Sequence, residues 1–262
     1  MNFDDIRRDY PILEFDNTSR AVIEPSEILK NKPNIPDRFV LVFFNELIQR
    51  LVQEGLFKEI HHLKSEMGRH VVYVTEYQGE NIGVMHPAVG APLAVGLMEE
   101  IIALGANKII AVGACGVLQK DIAKGQPIIP TSAIRDEGTS YHYLAPTREV
   151  SQQDEGIRAI ESVLTKHSIP FLKGKTWTTD AFYRETRKKV SLRVSEGCLT
   201  VEMEAAAFFA VAEFRKITFG QLLYGGDDVS GEIWDSRSYF SATDIREKLF
   251  WLAVEAVLEL GN

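Results

Sequence analysis

The stretch TVEMEAAAFFAVAEF (residues 200–214) decides how this chain is read. An apolar, strand-like run ends there and a helix begins, with two carboxylates, Glu202 and Glu204, at the junction. From Met203 onward the apolar residues fall at Met203, Ala206, Ala207, Ala210, Val211 and Phe214, the i, i+3, i+4, i+7 stripe of a helix lying on a core. An acid at the head of a buried helix costs desolvation unless it is hydrogen-bonded or caps that helix. Two roles stay open at this point. The acids can serve the exposed amides and positive dipole end of the helix, or they can face a ligand.

Outward from the junction, short apolar runs alternate with amphipathic stretches. FVLVFF (39–44) has the continuous apolar character of a strand buried on both faces, and Asn45 can cap a helix over 46–57. HVVYVTEYQGENIGVMHP (70–87) reads as two strands about a turn at 78–81. A helix over 92–104 closes at Gly105, and strands follow at 108–112 and 126–132. Helix 152–167, strand 171–177, helix 185–194, strand 218–224 and helix 243–260 complete the series. The alternation predicts an α/β fold, a three-layer α/β/α sandwich about a central, mostly mixed sheet. Residues 1–37 carry Pro11, Pro25, Pro33 and Pro36 and read as an extension laid over a single domain spanning 38–262.

The balance of 29 basic and 37 acidic residues, a net charge of −8, argues against nucleic acid or an anionic membrane surface as partner. Cys115 and Cys198 are too few for a disulfide framework and lack metal-ligand spacing, so a reducing cytoplasm is expected. MNFDDIRRDYPILEF at the start has no apolar centre and does not read as a secretory signal. The longest apolar tract, 84–98, is broken by His86, Pro87, Gly90, Pro92 and Gly96, which excludes it as a membrane span. His61, His62 and His142 stand in no HExxH or CxxC pattern and no GxSxG elbow occurs, so neither a metal nor an organic cofactor is expected. Cys115 has no His and acid placed by sequence to activate it and reads as packing.

In open α/β sheets ligands lie beyond the carboxyl ends of strands. Three such ends are unusual here. VGACG (112–116) carries Gly113 and Gly116, which let backbone amides approach an anion, although two spaced glycines suit an ordinary turn equally. The second is the acidic pair after Val201. The third is YGGDDVSG (224–231), where Asp227 and Asp228 follow a strand between glycines, as turn chemistry or as ligand groups.

Taken together, GAPLAVGLMEEIIALGANKIIAVGACG (90–116), AIRDEGTSYHY (133–143), TDAFYRE (179–185), VEMEAAA (201–207) and GGDDVSG (225–231) resemble the nucleoside phosphorylase family. That family contains purine nucleoside phosphorylase, uridine phosphorylase and the adenosylhomocysteine nucleosidases. The resemblance implies a phosphorylase-type fold, homo-oligomers from dimers to hexameric rings, and cleavage of an N-glycosidic bond. By position, Glu204 matches the acid that binds ribose hydroxyls, Met203 the residue packed on the sugar, Glu202 its neighbour, and Phe182 the aromatic that stacks on the base. Asp228 matches the acid that protonates a leaving purine, with Asp227 where Ser is common. That role requires a carboxyl held well above its usual range of about 3.9, which burial and the Asp227 charge would favour.

The departures concern phosphate. Family members hold it with an Arg just before the glycine loop and a Thr or Ser after the first glycine; this chain has Ala111 and Ala114. The N-terminal GDP loop is absent, IEPS (23–26) being the nearest counterpart, and Gly113 and Gly116 are left as phosphate contacts. Arg135, Lys64 or Arg69, the latter two from a neighbouring subunit, are the available substitutes. The uridine-specific Gln and Arg align near Thr186 and Lys188, which turns the expectation towards purines. The leading expectation is a cytoplasmic phosphorylase converting a purine nucleoside and phosphate into base and ribose 1-phosphate. The alternatives are a nucleosidase using water and a nucleoside-binding protein without catalysis.

Overall fold

A computed structural model describes residues 9–29, 33–239 and 242–261. In chain order the elements are α1 (Pro25–Ile28), β1 (Arg38–Val42), α2 (Asn45–Gln53), β2 (Lys58–Ser65), β3 (Gly68–Tyr77), β4 (Glu80–Met85), α3 (Ala91–Leu104), β5 (Lys108–Val117) and β6 (Pro127–Asp136). They continue with β7 (Glu149–Ser151), α4 (Asp154–Lys166), β8 (Leu172–Thr179), α5 (Arg187–Ser195), β9 (Cys198–Glu202), α6 (Ala205–Arg215), β10 (Thr218–Asp228) and α7 (Thr243–Glu259).

The strands form one mixed sheet, and β5 is its spine. On one side β5 pairs in parallel with β1, which pairs with β4, and the antiparallel strands β4, β3 and β2 extend this wing. On the other side β5 runs parallel to β10, while its last residues pair antiparallel with β9, Gly116 opposite Val201 and Val117 opposite Thr200. Since β10 pairs with β6, β6 with β8 and β8 with β9, five strands close into a ring and leave no free edge there. Ile109, Ile110, Ala111 and Val112 of β5 are completely buried because helices cover both faces. Helices α2, α4 and α7 pack on one face; α3 and α6 pack on the other, with α1 against α3.

One contact fixes how α4 sits on the sheet. A Cβ added to Gly156 would lie 2.2 Å from the Phe219 carbonyl oxygen, so the helix touches the β10 backbone directly. Gly156→Ala is therefore expected to cost about 2–3 kcal/mol through overpacking. The corresponding fall in melting temperature is roughly 5–10 °C for a domain of this size; an unchanged melt would refute the close contact.

The elements differ from the sequence expectation in informative places. Strand β2, KEIHHLKS, has mostly polar residues because it is the outermost strand of its wing and buries only Leu63. Strand β10 continues to Asp228 and β5 to Val117, so the paired aspartates and both glycines lie on strands rather than in turns after them. Helix α6 starts at Ala205, and α5 starts at Arg187 after a 3-10 turn at Phe182–Arg184. Residues 9–29 lie over the domain surface, where Ile12 contacts the loop after β6 at Gly138.

Candidate active site

Strand β9 ends at Glu202 in register with Thr178 of β8, and the chain turns through Met203 and Glu204 into α6. Glu202 Oε2 accepts the amides of Glu204 at 2.7 Å and Ala205 at 2.6 Å, while its Oε1 accepts the Thr178 hydroxyl at 2.6 Å. That hydroxyl in turn accepts the Ala206 amide at 2.9 Å, so β8 also helps to close the helix N-terminus. Glu202 is thus the anion at the head of α6, the helix-serving role the sequence left open. Glu204 reaches the other way: its Oε1 accepts the Gly90 amide at 2.5 Å, from the loop joining β4 to α3. That loop holds Ala88 and Gly90 at φ of +66° and +94°, conformations that aim the Gly90 amide inward. Met203, half-buried, lies between the two acids.

Burial pushes the Glu204 carboxyl up to about 8, with the neighbouring Glu202 charge adding to the effect. Burial also raises Glu202, to about 7, against the opposing hydrogen bonds from Thr178, Ala205 and Glu204. Glu202 has the larger set of donors, so burial favours the neutral form of Glu204 more than that of Glu202.

The residues expected to face a base, Phe182 and Asp228, lie beyond β8 and at the end of β10. Phe182 is 51% exposed on the 3-10 turn after β8, its ring 4.1 Å from that of Tyr183. Arg187, at the start of α5, donates to the Val229 carbonyl at 2.7 Å and also to that of Gly231, tying this turn to the segment after β10. Asp228 departs from expectation. Its Oδ2 accepts Arg237 Nη2 at 2.6 Å and its Oδ1 the Ser230 amide at 2.8 Å. Burial raises its carboxyl, but the Ser230 hydrogen bonds and the Arg237 charge outweigh that and hold it below the usual range. Asp228 is therefore an ion-paired carboxylate, and the expected upward shift is reversed. Asp227 accepts the Trp234 indole at 2.6 Å. Its carboxylate oxygens lie 3.5 and 3.7 Å from where a Gly116 Cβ would stand, beside Val201.

The surroundings of the glycines expected to contact phosphate are apolar. A Cβ on Gly113 would lie 3.1 Å from the Phe43 ring, which packs edge-on to His86 and tilts towards Phe208. Ala111 is buried between Leu41 and Gln221 in the sheet, and Gly116 pairs with Val201. The two glycines are thus strand residues that admit side-chain neighbours, not an open loop of amides. IEPS, the nearest counterpart of the GDP loop, runs into the start of α1, where Glu24 pairs at 3.8 Å with Arg215 at the far end of α6. Arg135 is also unavailable, since it donates to Ser140, Leu144, Ala145 and Thr147. Arg69 pairs with Glu59 at 2.6 Å on the β2–β3 hairpin. Cys115 donates its thiol to the Tyr224 carbonyl at 3.2 Å, and burial raises its pKa far above the usual value, in keeping with packing.

The sequence family described as the Phosphorylase superfamily matches residues 37–249. The chain belongs to that superfamily. Among relatives, a guanosine phosphorylase of Halorubrum lacusprofundi is 27% identical over 146 residues, which cover 56% of this chain and 61% of that protein's length. A purine nucleoside phosphorylase of DeoD type from Exiguobacterium sp. is 27% identical over 233 residues, 85% of this chain and 94% of that protein. Among solved structures, an AMP nucleosidase from Bacteroides thetaiotaomicron superposes with a TM-score of 0.71 at 22% identity, covering 90% of this chain and 97% of that one. The last likeness establishes the shared fold. Several residues of this candidate site were not legible in the sequence. Gly90 and Thr178 act through backbone and hydroxyl groups that no motif advertises, and Phe43 was absorbed into a strand because FVLVFF is uniformly apolar.

Proposed function

We propose that the chain cleaves the N-glycosidic bond of a nucleoside, with the sugar held at Met203 and Glu204. The observation that supports this reading is the Glu204 carboxylate, buried yet aimed across the cleft to Gly90 while Glu202 serves the helix. A carboxylate beside a sugar that becomes positively charged stabilises the transition state more than the ground state. The base is a purine, a reading supported by the relatives named for guanosine and purine nucleosides.

The attacking oxygen comes from water. Phe43 against Gly113, with Ala111 and Ala114 in place of charged and hydroxyl groups, offers a phosphate dianion no side-chain partner there. Phosphorolysis is the second reading, favoured by the names of the relatives; a neighbouring copy would then have to bring Lys64 or Arg69 to the site. Incubation with guanosine or inosine should release free base and free ribose at a rate independent of phosphate. Phosphate-dependent ribose 1-phosphate would establish the second reading instead, and absence of any turnover across a nucleoside panel would remove both.

A further inference from the structure

Strand β2 has one neighbour, β3, and its other edge is open among the described residues. An open edge of this length is a template for a further strand. We propose that it pairs antiparallel with β2 of a second copy of the chain, about a two-fold axis through His62. This surface lies outside the glycosidic site and does not depend on that reading.

The register decides the pairing. Between β2 and β3 the ladder shifts between Glu59 and His61, with Ile60 the extra residue. Such a bulge interrupts the alternation of side chains, so Glu59 stands on the same face as His62 and Lys64. Arg69 verifies this, since its guanidinium donates to Glu59 at 2.6 Å and to the His62 ring at 3.1 Å. Lys64 lies directly opposite Arg69 in the ladder, where like charges repel. Arg69 turns along the hairpin to Glu59, and exposed Lys64 has no acidic partner among the described residues.

Two copies set antiparallel with His62 opposite His62 supply that partner. One step outward, Leu63 faces His61 of the second copy; past the extra residue, Lys64 faces Glu59. The pairs occur twice by symmetry. Glu59 holds Arg69 through Oε1, so its other oxygen can take the incoming ammonium. Moving the axis to Leu63 would set Glu59 against Glu66, and moving it to His61 would set Lys64 against Phe57. Only the His62 axis matches the charges. An edge lysine ordinarily deters pairing, but a self-complementary edge selects one partner and one register. Pairing along a single strand is a small interface, so the dimer is concentration-dependent.

The full chain provides the test. His62→Cys brings one thiol from each copy to the axis, where opposed Cα atoms lie about 4.5–5.5 Å apart, within disulfide range. Mild oxidation should give a covalent dimer on a non-reducing gel. Cys115 and Cys198 are buried, so wild type should give none. His61→Cys, which opposes Leu63 rather than itself, should stay monomeric on the same gel. In sedimentation over a concentration series, Lys64→Glu and Glu59→Lys should each raise the dimer dissociation constant at least about tenfold, because two attractive pairs become repulsive. An equimolar mixture of these two variants should recover the dimer, each offering the charge the other lacks. A wild type that stays monomeric at every concentration overturns the proposal. So does a dissociation constant unmoved in both charge variants, or cross-linking by His61→Cys in place of His62→Cys.

Discussion

Glu204→Gln is expected to lower kcat/KM for nucleosides by about 1000-fold while leaving the protein folded, the scale of removing one charged group that stabilises a transition state. The glutamine can still accept the Gly90 amide, now 2.5 Å from Oε1, but unlike the glutamate it has no proton to give up and so no negative charge to supply as the oxocarbenium ion develops. Its amide NH2 also cannot accept the sugar hydroxyls as a carboxylate oxygen can. Glu204→Ala should be at least as damaging, because the Gly90 amide then loses its partner as well. Isothermal titration with a purine nucleoside and steady-state kinetics together separate the two consequences; wild-type kcat/KM in the glutamine variant would exclude Glu204 from the sugar site.

The same substitution has a signature in stability that a surface residue would not show. Glu204 holds its proton up to about 8 in the folded protein, whereas its ordinary value is 4.5. Between those values the native state binds more protons than the unfolded one, so stability is fullest below the lower value and declines as pH rises through the upper. Glutamine does not titrate. The melting temperature of Glu204→Gln should therefore fall less between pH 5 and pH 8 than that of wild type, which leaves the Glu202 contribution in both proteins. Parallel curves for the two proteins would contradict the raised value.

How much of this was legible beforehand follows from the kind of signal each residue gives. The strands β1, β5 and β10 are buried on both faces and advertise themselves as continuous apolar runs. KEIHHLKS does not, because an outermost strand with one half-covered face has a composition close to that of a loop. The acids of VEME could be located in sequence, but not told apart: both are charged, both stand at a helix start, and only the opposite directions of their hydrogen bonds divide the roles. Asp228 shows the reverse error. Adjacency to Asp227 in sequence suggested mutual repulsion, yet the two side chains have different partners, and Arg237, nine residues on, supplies a charge no local pattern predicted. Phosphate chemistry was questioned from Ala111, Ala114 and the missing GDP loop; that Phe43 packs against Gly113 follows only from tertiary packing.

Glu202→Ala is expected to be the most destabilising single change at the site, by about 3–5 kcal/mol, the range for removing one partner from a buried charged network. Alanine would leave the Glu204 and Ala205 amides and the Thr178 hydroxyl facing a void, and none of them has water to turn to at a position only 7% exposed. The helix N-terminus also loses its compensating charge. At this chain length the loss corresponds to a fall in melting temperature of roughly 10 °C. Glu202→Gln should recover part of it, since one carbonyl oxygen can still accept an amide. Because α6 begins at Ala205, any slackening of its first turn moves Met203 and Glu204 as well, so the alanine variant should show a raised KM even at temperatures where it is folded. A glutamine variant with near-normal stability and an equally raised KM would mean that Glu202 touches substrate itself. A melt unchanged in the alanine variant would remove it from the foundation of the site.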